Sequence, residues 1–130
     1  MIAVKVAEDI HKILIDTFGG SPGIRDHAVL DSALARPFQT FGNTDLHPTP
    51  IKKATSLIES VLINYPFIDG NKRTGYVLMR IFLMSNGLDI SASQEEKYNL
   101  VINIASGKTR FEEIVEWLTD HTCDKNSADL

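Results

Sequence analysis

Two apolar segments dominate the middle of this 130-residue chain and leave few folds open to it. In the first, Ile51, Ala54, Leu57, Ile58, Val61 and Leu62 recur at spacings of three and four, so a helix here presents one broad apolar face to a core. In the second, Tyr76, Val77, Leu78, Met79, Ile81, Phe82, Leu83 and Met84 are apolar almost all round, and the helix they form is expected at the centre of a bundle. Between them lies NYPFIDGNKRTG, residues 64–75, which carries an Asp, two cations and two glycines. A dense polar cluster set between the two most apolar helices needs a reason.

The remaining segments also read as helices. Ile10, Ile13, Leu14 and Phe18 mark a stripe over 7–18 that stops at Gly19-Gly20, and Asp26 caps a helix through Val29, Leu30, Ala33 and Leu34 that ends before Pro37. Residues 37–49 have neither period and form an exposed loop with room for a short hairpin. Thr49-Pro50 is an N-cap followed by proline at the first helical position. Asn86-Gly87 ends the apolar helix, and Leu88–Ile90 has extended character. Capping-box patterns at Ser93–Glu96 and Thr109–Glu112 open two more helices, running through Ile104 and Leu118. The fold class is therefore all-α, a six-helix bundle in a single domain over 1–121, with a frayed polar tail over 122–130. Met79, Met84 and Trp117 are assigned to the core, and His11, His27 and His121 to the surface.

Thirteen Lys and Arg against seventeen Asp and Glu leave a net charge of −4, too acidic for a surface-wide nucleic-acid footprint, so any anion site is local. The lone Cys123 forms no internal disulfide, which suits a reducing cytoplasm, and no apolar run is long enough for a membrane span or an export signal. No direct nucleic-acid or membrane partner is expected.

The local anion site is the quoted stretch. Residues 66–70 form a tight loop, and 70–73 sit where the next helix begins, with backbone N–H groups that lack intrahelical partners and carry the positive dipole end. Gly70 allows close approach of an anion, Asn71 offers a side-chain donor, and Lys72 and Arg73 supply charge. Asp69 is a hard oxygen ligand of the kind that holds magnesium while phosphates complete its shell. The same residues also fit a plain turn and a solvated helix start. Phe67 and Ile68, which would fasten the loop to the core, favour the binding role.

YPFIDGNKR resembles, at every position but the first, the H-x-F-x-[DN]-[AG]-N-K-R signature of the death-on-curing (Doc) toxins, a branch of the Fic-fold proteins. GGSPGIRDHAVLDSALARPFQTFG, KKATSLIESVLINYPFIDGNKRTG, FLMSNG and EEIVEWL are similar to that family in the same order, over roughly residues 5–120. The resemblance implies a toxin of a toxin–antitoxin module: a kinase-type enzyme moving the terminal phosphate of ATP onto a hydroxyl of a translation elongation factor and so arresting translation. It implies magnesium on Asp69, phosphate on the backbone of Gly70 to Arg73, charge neutralisation by Asn71, Lys72 and Arg73, and residues 40–49 as a flap aligning the target peptide. Members that transfer AMP usually carry Gly at the position of Lys72 and Arg at that of Tyr76. Nucleotidyl transfer is thus the alternative activity, and a non-catalytic nucleotide- or antitoxin-binding module is another.

Tyr65 stands where the family places its general-base histidine. Free tyrosine titrates near about 10 and histidine near about 6.5, so a phenol at neutral pH is a donor rather than a base, and this chain should be weakened or inactive. The codons differ by one base, so a change that silences a toxic protein would look like this; a native Tyr65 is the other account. His47, in the flap, is the histidine with a chance of reaching the site. Self-inhibited Fic proteins carry [ST]-x-x-x-E-[GN]. The spans Thr55–Glu59, Ser91–Glu95 and Thr109–Glu113 are followed instead by Ser60, Glu96 and Ile114, so the expected inhibitor is a small antitoxin acting in trans.

Overall fold

The computed structural model describes residues 1–125. Its six helices are α1 (Val4–Phe18), α2 (His27–Ala35), α3 (Pro50–Asn64), α4 (Asn71–Ser85), α5 (Gln94–Ala105) and α6 (Phe111–His121). This is the all-α architecture that the periodicity predicts. None of these helices is long and apolar enough to cross a membrane.

Several helix ends follow local chemistry. Asp26 accepts from Val29 N–H (3.1 Å), Thr49 from Lys52 N–H (3.1 Å), and Ser93 and Glu96 exchange both bonds of a capping box. After α2 the chain tightens into a 3₁₀ turn, Arg36–Phe38, because Pro37 cannot extend the helix. A hairpin follows, β1 (Thr40–Phe41) against β2 (Thr44–Asp45). The last helix begins one residue later than the Thr109 pattern suggests: Arg110 N–H donates to Glu113 at 3.1 Å.

Three expectations are corrected. The central helix is α3, which packs against α2, α4, α5 and α6 and buries an unbroken run from Ala54 to Ile58, whereas the helices packed against α4 are α1, α3 and α5. The inward line of α1 is Ala7, His11 and Ile15, while Ile13 is 62% exposed. A hydropathy stripe cannot include a buried histidine, so it rotates the helix away from its true face. Finally, Thr122–Asp124 is not frayed. It forms β4 antiparallel to β3 (Leu88–Ile90), pairing Asp89 with Cys123, which satisfies backbone groups that β3 would otherwise expose. The rest of the expected tail, 126–130, lies outside the described residues. Met79 is buried as predicted; Met84 is half-buried, and Trp117 stacks at the core's edge on His121.

Candidate functional site

α3 must stop at Pro66, and the residue before a proline is driven out of the α region. Tyr65 takes the left-handed conformation, φ 50°, which is sterically tight for a residue with a Cβ. The last carbonyls of α3 are not left to water alone: the Arg25 guanidinium donates to Asn64 O (2.7 Å) and Tyr65 O (2.5 Å). Phe67 then plunges fully into the core. The buried amide of Asn71 closes a ring with it, accepting from Phe67 N–H (3.0 Å) and donating to Phe67 O (2.9 Å). The α1–α2 loop supports the other side, through Arg25 N–H to Pro66 O (2.8 Å) and Ile68 N–H to Gly23 O (3.1 Å). The loop is therefore held from both sides before any ligand arrives. The Ile68 side chain does not reach the core as expected: the residue is 57% exposed, and its Cδ1 lies over Gly23 of the α1–α2 loop, 3.0 Å from where a Cβ would stand.

At Gly70 the backbone enters α4 with φ 74°. Thr74 N–H is the first to find a helical carbonyl, Gly70 O at 3.0 Å. The amides of Asn71, Lys72 and Arg73 come before it and have no acceptor among the described residues. Beside them, the Asp69 carboxylate accepts from Ser21 N–H (3.0 Å) and from Gly70 N–H (2.8 Å). Those two bonds hold its titration below the usual carboxylate range, with the charges of His11 and Lys72 adding to the effect. Gly20 makes room for this seat, since a Cβ there would lie 2.8 Å from Asp69 Oδ2.

Tyr65, Asp69, Gly70, Asn71, Lys72 and Arg73 all border one cleft of about 630 Å³, so the structure brings together every site residue that the sequence singled out. Their roles differ from expectation in two places. Asn71 spends its side chain on the backbone of Phe67, so it latches the loop rather than reaching outward. The guanidinium of Arg73 rests 4.0 Å from the centre of the Phe18 ring, a cation–π perch at the cleft's edge. Lys72 is exposed and makes no ion pair among the described residues.

The far wall comes from α5, with Gln94, Lys97 and Tyr98, a contribution no local motif signals. His47 does not border the cleft. Its ring lies tilted against Phe111, with centroids 5.1 Å apart, and Lys53 ties the hairpin to α3 by donating to Asp45 (3.2 Å) and His47 O. His11, assigned to the surface, is instead 3% exposed and bonded to the carbonyl of Asp69. His121 is half-buried, paired with Glu96, and His27 is exposed.

Among the described residues, Asp69 is the one carboxylate at the amide row. It is exposed and ionised, and each oxygen keeps a lone pair beyond its N–H bond, which fits a magnesium ion held by a single carboxylate and completed by phosphate oxygens.

A family model described as "Fic/DOC family" matches residues 2–83, more than half of the chain. The chain belongs to the Fic/DOC family. The protein "Toxin Doc" of Mycolicibacterium smegmatis is 40% identical over 75 residues, which make up 58% of this chain and 58% of that protein. The chain thus spans little more than half the length of the curated relative it matches. The Fic/DOC segment runs from α1 into α4 and contains every element that braces the amide row, while the α5 wall lies beyond it.

Proposed function

We propose that the chain is the toxin of a toxin–antitoxin module and a Doc-type phosphotransferase, moving the terminal phosphate of ATP onto a hydroxyl of a translation elongation factor. The observation that carries this reading is the row of three amides at the start of α4 that have no acceptor among the described residues, bordering a cleft beside Lys72 and Asp69. A polyphosphate laid along these amides meets the helix dipole and Lys72, and Arg73 is within reach from its perch on Phe18. Asp69 would hold magnesium here, and the ion would supply positive charge against the phosphates.

In the transfer, the acceptor oxygen forms a bond to the terminal phosphorus as the bond to ADP breaks, and the hydroxyl proton must leave. Tyr65 borders the cleft where the family's base stands, half-exposed. Its phenol is a poor proton acceptor, so this chain transfers slowly or not at all. Lys72 in place of the glycine of AMP-transferring relatives favours phosphate over nucleotide transfer. The cytoplasm is the proposed compartment, and a small antitoxin covering the cleft in trans is the proposed restraint.

The test is Tyr65→His, incubated with Mg-ATP and cell extract and read by mass spectrometry, with host growth followed in parallel. A phosphate added to an elongation factor, with growth arrest, is the expected result. An AMP adduct would move the reading to nucleotidyl transfer. Binding of ATP with no adduct from either the parent protein or the Tyr65→His variant would make the chain a non-catalytic module.

A further inference from the structure

His11 lies on the inward face of α1, behind the anion loop, and borders neither the cleft nor solvent. Its ring stacks on Phe67 with centroids 4.1 Å apart and planes within 6°. Its Nε2 lies 2.8 Å from the carbonyl oxygen of Asp69. A carbonyl only accepts, so Nε2 carries the hydrogen and the imidazole donates.

That bond falls on a particular peptide unit. The C=O between Asp69 and Gly70 is held by His11, and the N–H of the same unit is turned onto Asp69 Oδ1 at 2.8 Å. The next residue is glycine, which visits either sign of φ with little penalty and so does nothing to stop this unit from flipping. A flip would carry the Gly70 N–H away from the Asp69 carboxylate and reset the entry angle of the chain into α4. The stacked ring is buried and cannot follow a moving carbonyl. Gly70 itself packs against α1, where a Cβ would lie 3.1 Å from Ile15 Cδ1 and 3.7 Å from His11 Nε2.

We propose that His11 is a positioning residue for phosphate binding: by holding the Asp69 carbonyl it locks the Asp69–Gly70 peptide and so sets both the carboxylate and the first free amides of α4. The role rests on the phosphate reading of the cleft.

Three variants separate the donor from the packing. His11→Phe keeps a stacked ring without the donor, His11→Met fills the space without either, and His11→Gln restores an N–H near the Nε2 position. Two readouts are used: the amide resonance of Gly70 in ¹⁵N-labelled protein, and the affinity for Mg-ATP by calorimetry. His11→Phe and His11→Met are expected to shift or broaden the Gly70 resonance and to weaken Mg-ATP by about tenfold, the scale seen when a supporting hydrogen bond behind a ligand group is lost. His11→Gln, with a melting temperature like that of His11→Met, is expected to recover most of both. Wild-type affinity and an unmoved Gly70 resonance in the donor-free variants would overturn the assignment, as would a Gln variant no better than Met. A wild-type protein that binds no Mg-ATP refutes the phosphate reading itself, and the Gly70 resonance then still decides whether His11 holds the loop.

Discussion

At Gly75 the backbone of α4 packs directly against side chains of α3, and replacing it by alanine tests whether that contact sets the stability of the site's frame. A Cβ at 75 would lie 2.3 Å from Leu62 Cδ1 and 3.2 Å from Val61 Cγ1, and both neighbours are fully buried. Carbon atoms rest comfortably at about 3.5–4.0 Å, so the helices must part or Leu62 must leave its rotamer. Overpacking of this kind costs about 1–3 kcal/mol. Alanine in a helix recovers about 0.8–1 kcal/mol relative to glycine. A 2.3 Å approach puts the overpacking cost in the upper part of its range, about 2–3 kcal/mol. The clash should therefore win, with a net loss of about 1–2 kcal/mol, a fall of roughly 3–6 °C in Tm for a chain of this size. Urea and thermal denaturation followed by circular dichroism measure it. A double-mutant cycle sharpens the reasoning. Leu62→Ala alone costs about 2–5 kcal/mol, but it empties the space that the new methyl needs. In that background Gly75→Ala should become neutral or stabilising. Equal penalties in both backgrounds, or a Gly75→Ala protein as stable as the parent, would refute the steric account.

Asn71→Ala removes both bonds to the Phe67 backbone and strands a buried N–H and C=O, so a loss of about 2–4 kcal/mol is expected in chemical denaturation, with Mg-ATP binding weakened as the loop loosens. Tyr65→Gly relieves a left-handed residue and should stabilise the fold by up to about 1 kcal/mol, read as a rise in denaturation midpoint. Asp69 has a folded-state titration below its unfolded value, so its stabilising share is present above about pH 4 and is lost as the pH falls through the folded value. Asp69→Asn should therefore flatten the acid limb of a stability–pH curve below about 4 and leave the curve between about 5 and 8 unchanged in shape.

Much of the frame was legible because its signals are local. Asp26, Thr49-Pro50 and the Ser93–Glu96 box declare helix starts through bonds within one turn, and Pro66 and Gly70 force the break that becomes the anion loop. The loop's polar residues were legible as a site for the same reason: unpaired amides follow from any helix start. Their division of labour was not. Asn71 reads equally well as an outward donor or an inward latch, and only the depth of Phe67 decides between them. The expected face of α1 missed because hydropathy scores His11 as polar, while its partners, the Phe67 ring and the Asp69 carbonyl, lie far along the chain.

The amino-acid order by itself determined the helices, their ends and the row of amides between Asp69 and Thr74, since backbone sterics and hydrogen bonding over three or four residues suffice for each. The tertiary structure decided that α3 and not α4 is central, that β4 covers β3, that α5 supplies the cleft's far wall and that His11 backs the loop 58 positions away. Those pairings depend on how apolar faces from distant segments fill a common volume, and no window of neighbouring residues carries that information.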